Sequence, residues 1–396
     1  MPQITAPKSH SVLILILGAI GLLTPFAIDM YLPAMPTIAK DLMVDNGMVQ
    51  GTLTAYTAGF ALGQLLHGPL SDSYGRRPIM IIGIILFAIA SIICASTASI
   101  EALLYMRFAQ GFAGAAAAVI VQAIVRDMFN KEDFARAMSF ITLVITISPL
   151  LAPMIGGHIA LWFGWRYIFT LLAVVSVVVL IAVYFKIPET LAPENKQPLH
   201  LKTILRNYFR LFTNPVAFGL IFCGAFSFAG MFAFITAGSF VYINIFGVKP
   251  EYFGYLFALN VVGMVIMTSF NGKAVRKMGS HWMLRFGLSV QLLACFGLLI
   301  SWLCNLGLWP IVGFVVLFVG TISIIGSNSM ALLLSNYPQM AGTASSLTNT
   351  LRFGSGAAIS ALIAVLPSGQ VWPMIVSMFI CGVCSISCYW LLSRKA

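Results

Sequence analysis

Charge is what this sequence has least of: 8% of its 396 residues are Asp, Glu, Lys or Arg, where a soluble domain carries roughly 25%. With 60% of the residues hydrophobic, no soluble fold has interior enough to hide the apolar surface, and the solvent that remains is lipid. Acids are scarcer than bases, 11 against 22, for a formal net charge of +11. In a soluble protein that excess suggests nucleic acid, but there basic residues cluster on one domain beside base-stacking aromatics. Here they sit in short segments between apolar runs, which argues against nucleic acid and fits orientation by, and contact with, a lipid bilayer. Cysteines are few and odd in number. All seven fall within or beside apolar runs, so no disulfide framework is expected. Cys381, Cys384 and Cys388 share a helical face without a nearby His or acid, and packing as small apolar groups is preferred over a metal or redox cluster. His67, His158 and His281 lack metal-ligand spacing, so no metal site is expected. There is no P-loop and no Gly-x-Ser-x-Gly elbow. Nothing points to an enzyme or a cofactor, and uphill work has to draw on an ion gradient or on a partner.

What the chain does have is apolar length. Runs begin near Val12, Gly51, Ile79, Ala102, Phe134, Tyr167, Pro215, Tyr252, Trp282, Trp309, Ala341 and Val371, each long enough to cross as a helix. They show none of the period-two alternation of a membrane barrel. The first run follows Lys8 in the manner of a secretory signal, but it is too long for one and carries Asp29, so it is read as the first span. Twelve spans place both termini on one side. The N-terminus, the even-numbered loops and the C-terminus hold seventeen basic residues, the other side only Lys40, Arg166 and Lys249, so both termini are expected in the cytoplasm. The one sizeable hydrophilic stretch carries Pro188, Pro193 and Pro198 and is read as a linker, dividing the chain into 1–187, 188–214 and 215–396. A repeat supports the division: Gly68 and Gly75 flank one cytoplasmic turn, and Gly272 and Gly279, both displaced by 204 positions, flank another. Two sets of six helices with a site between them at mid-membrane are a recurrent transporter plan.

Three charges interrupt the hydrocarbon. Asp29 is the one acid placed inside a span; ionised at the bilayer centre it costs about 3 kcal/mol on insertion scales, so it faces a cavity or a partner, or is protonated, or else lies near the outer interface by Pro33 and Pro36. Arg107 lies on a stripe with Gly111, Gly114 and Ala118, with Gln110 beside it. Arginine keeps its proton, which leaves it to act on a nearby carboxyl, to hold a polar substrate group, or to anchor backbone carbonyls. Arg352, near Asn349, poses the same choice. In the turn from Gly68 to Pro78, Asp72 has the chemistry to cap a helix of the other half and Arg76 to pair with Asp127, a latch for one conformation. In the fifth span small residues recur at Ser139, Ser148, Ala152, Gly156 and Gly157 with Pro149 and Pro153, a pattern for close packing and a kink.

These motifs resemble the major facilitator superfamily over essentially the whole chain. The turn from Gly68 to Arg77 is similar to its signature between helices two and three, and Arg107-Phe-Ala-Gln110-Gly111 to its fourth-helix signature, linked there to proton coupling. Pro33-Ala34-Met35-Pro36-Thr37-Ile38-Ala39 resembles the end of the first helix in its twelve-helix drug:proton antiporters. The antiporter signature of helix five has glycines where this chain has Ser139, Ser148 and Ala152, while Pro153, Gly156 and Gly157 match. Asp29-Met-Tyr-Leu-Pro33, Trp165-Arg166, Pro188-Glu189-Thr190 and Gly342-Thr-Ala-Ser-Ser are most similar to the bicyclomycin and chloramphenicol resistance branch. The resemblance implies an all-α polytopic fold of two six-helix bundles in a bacterial inner membrane, acting as a monomer. It implies export of small drugs against protons, with import of a nutrient by proton symport as the alternative. Asp29 would exchange the proton, Arg107 and Gln110 would tune it, Tyr31, Asn349 and Arg352 would line a cavity, and Gly68, Asp72, Gly75, Arg76, Arg77 and Asp127 would form the latch.

Overall fold

In hydrocarbon each backbone N–H and C=O has to find its partner within its own segment, so apolar runs of this length fold as helices. The computed structural model describes residues 7–129, 131–192, 194, 196, 201–337, 340–367 and 369–393, and among them there is no strand. In chain order the helices are α1 (Pro7–Asp29), α2 (Met35–Asp41), α3 (Asn46–Tyr74), α4 (Arg76–Ser96), α5 (Ile100–Met128), α6 (Lys131–Trp162), α7 (Arg166–Lys186), α8 (Leu201–Thr213), α9 (Pro215–Ser239), α10 (Pro250–Leu303), α11 (Leu308–Asn336), α12 (Ala341–Val365) and α13 (Trp372–Cys388). Among the described residues nine stretches are long and apolar enough on composition alone to cross a bilayer. One of them, α10, has 54 residues with a non-helical Gly279 inside and makes two spans. Spans α3 and α12 are too polar to pass that test, and they pack on each other, which removes their Gln, Thr and Ser side chains from lipid. The result is twelve spans in two bundles of six.

The repeat seen in the sequence has a structural counterpart. Gly75 (φ 115°) and Gly279 (φ 80°) both take the left-handed backbone region, where a Cβ is strained, and each ends a span at the same end of the molecule. The stretch read as a plain linker contains a helix: α8, whose Leu211 is buried against α9 and α12. Its apolar residues recur at helical spacing among Arg206 and Arg210, a periodicity masked in the sequence by the prolines and charge around it.

The halves meet tightly at one end. There a Cβ on Gly47 of α3 would strike the carbonyl of Ala364 in α12, and one on Gly254 of α10 would lie 2.7 Å from the Met154 nitrogen of α6. Such backbone approach is what small residues permit between membrane helices. Toward the Gly75 end the same helices part: α6 exposes consecutive residues at 139–140 and 142–143, and α10 at 265–266 and 268–270. The contacts described between the halves lie at the closed end and as far along as Phe60 and Phe353, and the space between the halves beyond them, toward the Gly75 end, is read as a crevice.

Candidate functional site

Arg107 lies at the convergence of five elements of the first half. It is fully buried, and three rings enclose its guanidinium: Tyr31, after α1, at 4.7 Å, Tyr56 of α3 at 4.5 Å and Phe169 of α7 at 5.7 Å from the ring centroids. Desolvated cation–π contacts are worth about 2 kcal/mol each. On the remaining side Arg107 Nη1 donates to Gln110 Oε1 (2.6 Å), and Gln110 Nε2 donates to Ser91 Oγ of α4 (2.7 Å). Arg107 Nε and Nη2 find no acceptor among the described residues, so the negative ring faces carry much of the compensation. The glycine at 111 admits a neighbouring helix, with a Cβ there overlapping the Tyr56 carbonyl. Tyr56, Phe169 and Ser91 carry no sequence signal of this role, being ordinary members of apolar runs.

Asp29 is the last residue of α1, before a 3-10 turn, Leu32–Ala34, that leads to α2. It is 5% exposed, and among the described residues it makes no ion pair, with Arg107 or with anything else. Of the alternatives the sequence leaves open for Asp29, this geometry supplies no ionic partner; Asp29 and Arg107 are linked through the backbone. Met30 rests against Gly156 of α6, where a Cβ would overlap its carbonyl. Tyr31, two residues from Asp29, stacks on Arg107 and shares a 2.7 Å hydrogen bond with Thr52. A change at Asp29 that moves this turn therefore moves one wall of the arginine cage. Around it α6 runs as one helix through Pro149 and Pro153. Ala152 and Pro153 are buried, Ser148 Oγ is buried with no acceptor among the described residues, and a Cβ on Gly157 would meet the Pro250 carbonyl of α10 at 3.2 Å.

In the second half Arg352 Nη2 donates to the Gly326 carbonyl of α11 at 3.0 Å, crossing α9 where Gly224 has no side chain. Its neighbour Phe353 contacts Phe60 of the first half at 4.4 Å and Phe228 at 5.1 Å. Asn349 is half-buried one turn away.

The turn after α3 forms a network inside the first half. Arg76 pairs with Asp72 and donates from Nη1 to Ser71 Oγ (2.7 Å) and from Nε to Asp127 Oδ2 (3.3 Å). Asp72 thus holds Arg76 in its own turn rather than capping a helix of the other half: with the opposite end of the molecule closed, those helices stand away from it. Glu189, absent from the expected set, accepts from the backbone N–H of Arg76 (3.0 Å) and Arg77 (3.2 Å) and so caps α4; Arg77 Nη2 donates to the Tyr184 carbonyl (2.7 Å). Gly68, one turn before Ser71, accepts from that hydroxyl through its carbonyl. The signal for Glu189 is an acid directly after a span, beside a turn rich in unpaired N–H groups.

Twelve spans in two halves, a crevice closed at one end and an arginine within the spans on either side of it define a membrane transporter. The profile of the Major Facilitator Superfamily matches residues 17–361, and the chain belongs to that superfamily. It is similar to a bicyclomycin resistance protein homolog of Haemophilus influenzae, 42% identical over 98% of either chain. It is also similar to a chloramphenicol resistance protein of Pseudomonas aeruginosa, 30% identical over 92% of this chain and 86% of that one. A crystal structure of a D-xylose-proton symporter shares the fold, with a TM-score of 0.75, 15% identity and coverage of 97% and 98%.

Proposed function

We propose that this chain exports small drug molecules in exchange for protons by alternating access. The observation that carries it is Asp29: a buried carboxyl in the interior of a span, at a helix break, without an ion pair among the described residues. A carboxyl so placed gains most from carrying a proton in one state and losing it in another. Drug export as the direction is supported by the two resistance proteins to which the chain is similar. The basic-residue count supports a cytoplasmic Gly75 end, and in a bacterial inner membrane the crevice then faces inward, ready to load. Residues 1–187 and 215–396 are the two rocking units, 188–214 joins them, and one copy suffices for transport.

The test is substrate-induced proton release in everted vesicles. Asp29→Asn keeps the shape and removes the titration, and it abolishes release while leaving expression and folding intact. Undiminished release in that variant overturns the proton role. Drug accumulation that falls, rather than rises, on adding a protonophore would show import and overturn the direction.

A further inference from the structure

The interior of this transporter has more fixed positive charge than negative. Of the charges placed within the spans, Arg107 belongs to the first half and Arg352 to the second, and Asp29 is the one acid against them. The balance is positive whether or not Asp29 holds a proton. The two arginines differ in how much of their bonding is spent. Arg107 is sealed: fully buried, ringed by three aromatics and bonded to Gln110. Arg352 is half-buried as a residue, and the described structure gives its five N–H donors one acceptor, the Gly326 carbonyl. It reaches that carbonyl over the bare backbone of Gly224; the next residue, Phe353, packs its ring on Phe60 of the first half and on Phe228 and Phe232 of its own. A guanidinium with donors to spare, one residue along α12 from a ring that packs among Phe60, Phe228 and Phe232, brings two kinds of contact close together: paired donors for an acceptor oxygen and ring faces for a flat or apolar body.

We infer that Arg352 is the substrate-binding cation of this transporter, so its substrates are uncharged or anionic small molecules bearing carbonyl or carboxylate oxygens beside an apolar ring, and permanent cations are excluded. This deepens the export reading by naming the substrate class of the same crevice. The exclusion follows from the same charges: a cation entering here loses its hydration beside an arginine that cannot give up its proton. Lysine at 352 keeps the charge but not the fork. Glutamine keeps neither.

The experiment is equilibrium binding to the purified full chain in detergent, followed by quenching of tryptophan fluorescence, so that it needs neither coupling nor a direction of transport. The probes are nalidixate, an anionic keto acid, and tetraphenylphosphonium, a permanent cation of comparable apolar bulk. The wild type is expected to bind nalidixate saturably and tetraphenylphosphonium at least about tenfold more weakly. Arg352→Gln removes the charge-assisted, bidentate pairing and weakens nalidixate binding by about tenfold or more. Arg352→Lys falls between the two, and both variants keep the wild-type melting temperature within a few degrees. The inference is overturned by equal binding of the two probes to the wild type, by absence of saturable nalidixate binding, or by Arg352→Gln binding nalidixate as the wild type does. It is also overturned if Gln and Lys at 352 depress binding and melting alike, which marks a structural anchor to Gly326. Failure of proton release in vesicles with intact nalidixate binding instead overturns the export reading and leaves the substrate class standing.

Discussion

Replacing Gly156 by alanine tests whether α6 holds the Asp29 turn in place. The methyl would overlap the Met30 carbonyl oxygen, and it would lie 2.7 Å from both the carbonyl carbon and the Cα of Met30. None of these is the end of a flexible side chain, so helix α6 or the turn itself has to move. Overpacking of this kind costs about 1–3 kcal/mol, set against a gain of up to about 1 kcal/mol for alanine over glycine inside a helix. Gly313 of α11 separates the two effects: nothing lies within 4 Å of a Cβ there, so Gly313→Ala receives the propensity gain alone. The difference between the variants isolates the overlap, and Gly156→Ala should be less stable than Gly313→Ala by about 1–3 kcal/mol, measured by thermal unfolding in one detergent. Because Met30 stands between Asp29 and Tyr31, the same shift should loosen the Tyr31 ring from Arg107, and substrate-induced proton release should fall at least about tenfold, the equivalent of about 1.4 kcal/mol. If the two variants melt together and release protons equally, α6 does not brace the turn and the linkage from Asp29 to Arg107 is wrong.

Removing the Glu189 carboxylate with Glu189→Ala uncaps two N–H groups of α4 and should lower stability by about 1–2 kcal/mol, seen as a lower melting temperature at unchanged proton stoichiometry. Arg107→Lys keeps the charge but not the flat guanidinium held by three rings; transport measured in vesicles should be lost, with weaker loss for Gln110→Leu, which breaks the link to Ser91. At the closed end Asp41 accepts from both Trp165 Nε1 (2.9 Å) and Arg166 Nη1 (2.6 Å), tying α2 to the start of α7. This pair is exposed, so Asp41→Asn should cost no more than about 1 kcal/mol and the cost should shrink in high salt.

Much of this is legible in the chain because lipid allows so few answers. Span positions follow from apolar length, and the repeat of Gly75 at Gly279 marks the same left-handed turn in each half. Individual charges stand out against hydrocarbon, which is why Asp29, Arg107 and Arg352 are identifiable. Their partners are not. Tyr56 and Phe169 reach Arg107 from α3 and α7, 51 residues before it and 62 after it, and nothing in either helix names the arginine that its ring will face. Glu189 reads as part of a linker, and only the fold sets its carboxylate on the α4 N-terminus. A lone acid in a turn suits a distant helix end, which is how Asp72 reads in sequence, whereas Arg76 four residues on offers a nearer charge. Helix α8 is hidden by the hydrophilic background of the linker. In each case local chemistry is legible and long-range placement is not, since placement depends on how helices cross.

The geometry also says where the barrier between states lies. At the Gly75 end the ionic network of Arg76 with Asp72 and Asp127 is contained within the first half, and the Glu189 cap ties only the start of the joining segment to it, so they survive a rocking motion unchanged and set no energy difference by themselves. What has to break is at the closed end: the crossing of Gly157 and Gly254 between α6 and α10, the approach of Gly47 to Ala364, and a weak hydrogen bond from Ser239 to the Met35 sulfur at 3.9 Å. These are mostly interactions of van der Waals strength between small residues, each worth little and fading gradually as the helices separate. A closure built this way is tight without being deep, and a proton moving on or off Asp29, one residue from the Met30–Gly156 contact, acts close to its edge. Bulk added at Gly254, where Met154 leaves no room, should therefore bias the chain away from the inward-open state. Its signature is faster labelling of a single cysteine placed at Gln50, near the closed end, and unchanged labelling would mean that the α6 and α10 crossing is not the gate.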